Sequence, residues 1–295
     1  MNTVERIENS FTDRFAASCA RVSFGSTTDD YSDERVAGLI DYLVRNRHIN
    51  PLFHPMITVR LSQSQINLHQ LVQNKSLMAG LNLYKKDKMW IVTTSAWGLM
   101  ELVRFMNRYK WLHDMPAFSN SYNNYINSKD NLSCAHLFDV SPPHHHQWFS
   151  FRFNTEMNTK NQLYTHTVGL AKSSQSFRYV DDVDFYIPKE WRGKAENVKQ
   201  GSSDDIVEEE PDCYPHNYKG QLDRCKWWYQ GNAQICNEQR RYILPQAQMT
   251  KYVITGTREA WERVLKLRLA KDAQKEVRLI AENIADEIAS DKVWI

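Results

Sequence analysis

Residues 161–192, NQLYTHTVGLAKSSQSFRYVDDVDFYIPKEWR, hold the densest set of groups able to do chemistry. A helix-like apolar stretch carrying a single histidine, His166, runs into Ser176-Phe177-Arg178-Tyr179 and then into an aromatic-rich strand signal, Phe185-Tyr186-Ile187-Pro188. An imidazole that titrates near neutrality, a hydroxyl and a permanently charged guanidinium in one segment are the groups that a nucleotide site needs.

Two other constellations compete with it. Cys134, His136, His144, His145 and His146 in CAHLFDVSPPHHH offer thiolate and imidazole to a transition metal. Their spacing matches no zinc pattern, and adjacent histidines in a proline-flanked loop face solvent, so no metal is expected. Tyr122, Tyr125 and Trp148 could stack the bases of a single strand. No stripe of lysine and arginine accompanies them, so no nucleic acid partner is expected. Trp227, Trp228 and Tyr229 read as core or subunit interface.

The remaining composition narrows the class. With 295 residues and 42% hydrophobic content the chain can bury a sizeable core. A net charge of +2 gives no bulk grip on DNA or on an anionic membrane, so any anion must be held locally. The start, MNTVERIENSF, carries acids and no apolar segment, which does not read as a secretory signal. The most apolar window, Met89 to Met106, is interrupted by Glu101 and Arg104 and is too polar for a membrane span. Five cysteines without a CxxC pair fit reduced thiols, so a cytoplasmic location is expected.

Periodicity supplies the elements that would position the candidate groups. Ser32 caps a helix in which Val36, Leu39, Ile40 and Leu43 share a face, and Met56 to Leu61 alternates as a half-buried strand. Ala20 to Phe24 reads as a strand end. Helices are expected over Trp90 to Tyr109, Leu222 to Gln230, Ala233 to Leu244, Arg258 to Leu269 and Ala273 to Ala289. Ser119 to Asn131 and Lys199 to Pro215 read as loops.

The order Gln162, His166, Ser176, Arg178, Tyr179, then Phe185 to Pro188, resembles the signature of the flavin-dependent thymidylate synthases, the ThyX family. ARVSF at 20–24, RHINPLFHP at 47–55 and TVR at 58–60 resemble the family's amino-terminal half in order and spacing. The run from Glu238 to Pro245, TGTREAW at 255–261 and LKLR ending at Arg268 resemble its carboxy-terminal part.

This resemblance implies an α+β fold, a ThyX-like mixed sheet flanked by helices. It implies a single catalytic domain over 1–295, interrupted by a mostly helical insertion at 62–158 and ending in a helical third. It places Gln162, Ser174, Ser176, Arg178, Arg241 and Arg268 on a pyrimidine deoxynucleoside monophosphate. Ser23, His48, Asn50, His166, Thr257 and Arg263 fall on the cofactor side, with Arg268 and His166 as the catalytic pair. The activity implied is C5 methylation of dUMP with FAD, NADPH as reductant and 5,10-methylenetetrahydrofolate as one-carbon donor. Such enzymes are homotetramers with active sites built from several subunits, and the chain resembles phage-type members, so a bacterial or phage-infected cytoplasm is implied.

The chain departs from the family pattern where the flavin is met. Thr165 and Thr167 flank His166 in place of arginines, Ser173-Ser174 replaces Asn-Glu, Phe53 replaces an acid, and one extra residue separates His166 from Ser176. Threonine cannot supply the positive charge that those arginines give to a reduced flavin. C5 hydroxymethylation, a dCMP substrate, or nucleotide binding without flavin chemistry therefore stay open as alternatives.

Overall fold

The structure, a computed structural model, describes residues 2–62, 82–86, 89–99, 143–194, 205–207 and 217–290. Its centre is a four-stranded sheet in the order β1 (Thr3–Ile7), β5 (Trp148–Glu156), β9 (Met249–Thr257), β6 (Leu170–Ser174). The fold is α+β, with helices on both faces of this sheet. Strand β5 alternates as its sequence WFSFRFNTE demands, sending Phe149, Phe151 and Phe153 to one face. There they meet Tyr252 and Ile254 of β9. Helices α6 (Arg258–Arg268) and α7 (Lys275–Ser290) close this face with Trp261, Val264 and Leu265, and with Val277, Ile280, Ile284 and Ile288. The Phe153 ring stacks on Tyr252 at 4.7 Å and Phe151 meets Trp261 edge-on at 5.1 Å.

The opposite face carries α1 (Asp13–Arg21), whose Phe15 and Cys19 pack on Val253. Small residues, Ala16, Ala17 and Ala20, let α1 lie close to α2 (Asp33–Arg45), which presents Val36, Ile40, Leu43 and Val44 to the same cluster. The Ser32 hydroxyl accepts the Arg35 amide at 3.3 Å, so α2 starts where the sequence places its cap. A second sheet, β2 (Met56–Ser62), β4 (Met89–Ser95) and β3 (Asn82–Lys86) in that order, is an antiparallel meander. A two-residue ladder joins β7 (Trp191–Arg192) to β8 (Ile206–Val207).

Several expectations are corrected. The central sheet, expected as mixed, is antiparallel at every described ladder. Strands β5 and β6, joined through helix α3 (Met157–Tyr164), run the same way, and β9 enters between them from the other direction. Ala20 to Phe24 is not a strand end: Thr12 caps α1, which runs to Arg21 and tightens into a 3₁₀ turn at Val22–Phe24. The helix expected from Trp90 begins instead as β4, because Trp90-Ile91-Val92-Thr93-Thr94 is aromatic and β-branched and pairs on both edges. Only 96–99 is helical there, and 100–109 lies outside the described residues.

The described parts of 62–158 are chiefly the strands β3, β4 and β5, so this stretch contributes the central strand β5 itself. Ser119 to Asn131 and most of Lys199 to Pro215 lie outside the described residues. Ala233 to Leu244 shortens to α5 (Asn237–Arg240) and a 3₁₀ turn at Arg241–Ile243, while Leu222 to Gln230 lengthens into α4 (Tyr218–Gly231), capped by Asn217. The aromatic run at 185–188 forms no strand; Phe185 makes one bridge, to Gln248.

Trp261 is fully buried and its indole N–H donates to the Phe149 carbonyl at 3.1 Å, tying α6 to β5. Trp261→Ala is expected to cost about 3–5 kcal/mol through the cavity it leaves, and more than Trp261→Phe, in urea unfolding of the full chain. Equal midpoints for the two variants would show that this contact does not anchor the helix.

Candidate active site: a cleft lined by hydroxyls and cations

A cleft of about 880 Å³ opens between α1, α2 and the end of β6. It brings together residues far apart in sequence. Ser23 comes from the 3₁₀ turn after α1; His48 and Asn50 come from the turn after α2; Ser174, Ser176 and Arg178 follow from β6. The Ser176 amide donates to the Ser23 carbonyl at 2.9 Å, which holds the two walls together. At the mouth Phe24 and Tyr179 stack at 4.6 Å, both well exposed.

Helix α3 ends at Tyr164, so His166 lies just past its C-terminus rather than inside a helix. Arg268, in the last turn of α6, reaches across to this terminus. Its Nε–H donates to His166 Nε2 at 3.0 Å, Nη1 to Gln162 Oε1 at 3.3 Å, and Nη2 to the Gln162 carbonyl at 2.8 Å and to Thr165 Oγ1 at 3.0 Å. Because Nε2 accepts from a guanidinium, the imidazole is neutral with its proton on Nδ1. Burial, reinforced by the charges of Arg268 and Lys172, lowers its pKa and keeps it so. Four of the five guanidinium donors are engaged, and the second hydrogen on Nη1 meets no acceptor among the described residues.

Lys172 joins this cluster to the cleft. It lines the cleft, and its ammonium donates to the Tyr164 carbonyl at 2.8 Å and to the His166 carbonyl. Lys160, one turn before Tyr164 on α3, is buried and donates to Ser174 Oγ at 3.1 Å. Both ammoniums lie against the Tyr164 ring, at 5.0 and 4.9 Å from its centroid. Among the described residues, none of Lys160, Lys172 and Arg268 pairs with a carboxylate. Lys160 is buried, and a buried cation without a counter-ion is costly; Lys172 and Arg268 are half-buried, and of the three Lys172 lines the cleft, where an anion can reach it.

The other candidate residues are engaged elsewhere or exposed. Arg178 lines the cleft but is bound to Glu238 at 2.9 Å on an exposed surface. Arg241 is exposed in the 3₁₀ turn after α5; its neighbour Arg240 is buried, paired with Asp181 and seated over Tyr229 at 4.4 Å. Thr257 caps α6, accepting the Ala260 amide at 3.4 Å. Arg263 pairs with Glu259 at 2.7 Å on the same helix. Tyr229 is buried as core, whereas Trp227 is exposed. His144–His146 form a 3₁₀ turn before β5, Cys134, His136, Tyr122 and Tyr125 lie outside the described residues, and Trp148 begins β5. Among the described residues no group of three or more metal-ligating side chains assembles, and no helix is long and apolar enough to cross a membrane.

Sequence reasoning missed Lys160, Tyr164 and Lys172. The signal was present: Lys160 and Tyr164 are four apart on one helix face, and Lys172 and Ser174 share one face of a strand. Reading the stretch through His166 as helix hid the strand that begins at Leu170.

Comparison with known proteins adds an independent line. Residues 101–291 match the family model described as thymidylate synthase complementing protein. A flavin-dependent thymidylate synthase from Aquifex aeolicus is 26% identical over 308 aligned residues, covering 92% of each protein. Two solved structures of the UMP/dUMP methylase PolB from Streptomyces cacaoi, bound with 5-Br UMP and with 5-Br dUMP, give TM-scores of 0.44 and 0.41. Their identities are 17% and 16%; the alignments cover 98% of this chain and 89% and 90% of theirs.

Burial lowers the Lys160 pKa from 10.5 to about 8. Between those values the unfolded chain keeps a proton that the folded chain has released, so this group's contribution makes stability rise with pH across that window. The full difference is on the order of 3 kcal/mol. Lys160→Met should therefore be at least as stable as the parent at pH 7 and should remove that part of the rise between pH 8 and 10.5, read by urea unfolding at each pH. Parallel curves for the two proteins would place the titration elsewhere.

Proposed function

The chain belongs to the thymidylate synthase complementing protein family, and from that premise we propose that it methylates C5 of dUMP, using FAD, NADPH and 5,10-methylenetetrahydrofolate. The observation that carries this reading is the cleft lined by serine hydroxyls and by Lys172, which pairs with no carboxylate among the described residues and whose ammonium donates to the carbonyl of His166, the partner of Arg268. Such a donor set fits phosphate-bearing ligands: Ser23, His48 and Asn50 on one wall suit the dinucleotide, and Ser174, Ser176 and Arg178 on the other suit the nucleotide. Bound and reduced, the flavin supplies the hydride that completes the methyl group.

The remaining work falls to this chain's residues. A uracil ring made nucleophilic at C5 is enolate-like and carries negative charge on its C4 carbonyl oxygen until the C5 bond forms. Arg268, held from four donors and with one Nη1 hydrogen unspent, is built to meet that charge without reorganising. His166, kept neutral, orients Arg268 and is not a proton reservoir at neutral pH. Lys172 supplies cationic charge beside His166, where Thr165 and Thr167 carry none. The exposed Arg241, next to the exposed Tyr242 and Ile243, suits a contribution to a neighbouring subunit's cleft in a homotetramer.

Tritium release from 5-tritiated dUMP, in the presence of FAD, NADPH and methylenetetrahydrofolate, tests the reaction. Mass analysis of the nucleotide distinguishes methyl from hydroxymethyl. Release is expected from dUMP, with a methyl product, and a fall of at least about a hundredfold in Arg268→Ala. Arg178→Ala should weaken nucleotide binding by about tenfold, measured by calorimetry. Nucleotide binding without tritium release would leave a protein that binds nucleotides but lacks the transfer chemistry.

A further inference from the structure

Behind the cleft lies a buried polar chain that the reaction above does not use. Asn9 Nδ2 donates to the His54 carbonyl and to Ser150 Oγ, each at 2.7 Å, while Asn9 Oδ1 accepts the Met56 amide at 3.2 Å, which settles the orientation of the amide. Ser150 Oγ lies 2.7 Å from Thr255 Oγ1, Thr255 Oγ1 lies 2.9 Å from His54 Nδ1, and His54 Nε2 lies 3.0 Å from Ser173 Oγ. His54 is fully buried, Ser150 and Thr255 nearly so, and Ser173 lines the cleft.

The direction of this chain follows from counting hydrogens. Ser150 already accepts from Asn9, so its own hydrogen must go to Thr255 or to nothing. Thr255 then accepts from Ser150 and gives its hydrogen to His54 Nδ1. The imidazole, held neutral because burial lowers its pKa to about 3, carries its proton on Nε2 and donates it to Ser173 Oγ. Any arrangement with the proton on Nδ1 strands a buried hydroxyl hydrogen, on Ser150 or on Thr255, without an acceptor, which folded proteins avoid. Ser173 is therefore the last member of the chain. One lone pair of its oxygen accepts from His54, and its hydrogen has no acceptor among the described residues, so the hydrogen is unsatisfied unless it turns into the cleft. The same polarity excludes His54 as a base that would turn Ser173 into a nucleophile.

We propose that Ser173, oriented by His54, is the base-selecting residue of the cleft: it presents a fixed hydrogen-bond donor, which accepts a pyrimidine carrying a carbonyl at C4 and rejects one carrying an amino group there. This rests on the reading of the cleft as a pyrimidine nucleotide site, and it chooses uracil over cytosine within that reading. An amino group can be accepted only by the second lone pair of Ser173 with the serine hydrogen turned away from the cleft, where no acceptor among the described residues meets it, so a carbonyl is favoured at that position.

Calorimetric titration of the full chain with dUMP and with dCMP tests the proposal. The parent protein should bind dUMP at least about tenfold more tightly than dCMP. Ser173→Ala should bring that ratio to within about threefold, Ser173→Thr, which keeps the hydroxyl, should restore it, and His54→Phe should lower it by freeing the serine rotor. Should His54→Phe fail to fold, the Ser173 pair decides alone. A ratio unchanged in a folded Ser173→Ala, or a parent that binds both nucleotides equally or prefers dCMP, overturns the proposal while the nucleotide site stands. Binding of neither nucleotide overturns the reading of the cleft, and this inference with it.

Discussion

The entry of β9 between β5 and β6 is the constraint on which the rest of the molecule depends. A strand, a helix and a second strand running the same way, β5 then α3 then β6, leave room for one strand between them, and β9 fills it through ladders on both edges. That insertion completes the face on which Phe149, Phe151 and Phe153 meet Trp261. It also sets β6 as the sheet's outer strand, with its last residues turned toward the turns after α1 and α2. At Gly256, where β9 passes β6, a side chain would have to displace the Leu170 side chain and crowd the Gly169 carbonyl, so the glycine suits the closeness of the two strands.

Charge placement follows from this geometry. The C-terminus of α3 and the start of β6 are brought side by side, so Lys160 and Lys172 approach one tyrosine ring from two elements, and Arg268 reaches the same corner from α6. Their contacts are hydroxyls, carbonyls and an imidazole, which hold cations in place without neutralising them. A corner of this kind concentrates positive charge locally in a protein whose net charge is only +2. The polar chain ending at Ser173 is the neutral counterpart: it adds direction rather than charge.

Much of the site was legible in order but not in shape. The Ser32 cap, the stripe of α7 and the succession from Gln162 to Tyr179 are local patterns, and local patterns survive in a sequence because helix faces and caps are set by neighbours three or four residues away. Ser23, His48, Asn50, Ser174, Ser176 and Arg178 do share one cleft. Arg178 was legible as a guanidinium but not as one already engaged by Glu238, and Arg241 and Arg240 were indistinguishable until the fold buried one and exposed the other. The strand at β4 was hidden because its aromatic and β-branched residues lie in a long apolar window, and pairing with β2 some thirty residues away and with β3 just before it selects extended backbone over helix.

By itself the sequence determined the family resemblance, the capped helices and the types of group available to a nucleotide, because these depend on residue identity and short-range spacing. The tertiary structure alone decided which cations go unpaired, that His166 is a neutral acceptor for Arg268, and that a hydrogen-bonded chain from Asn9 ends at Ser173. The last two are relations between distant residues, 102 positions apart for Arg268–His166 and 201 for His54–Thr255. A proton's position on an imidazole is set by the acceptor across from it, and no local pattern records where that acceptor lies.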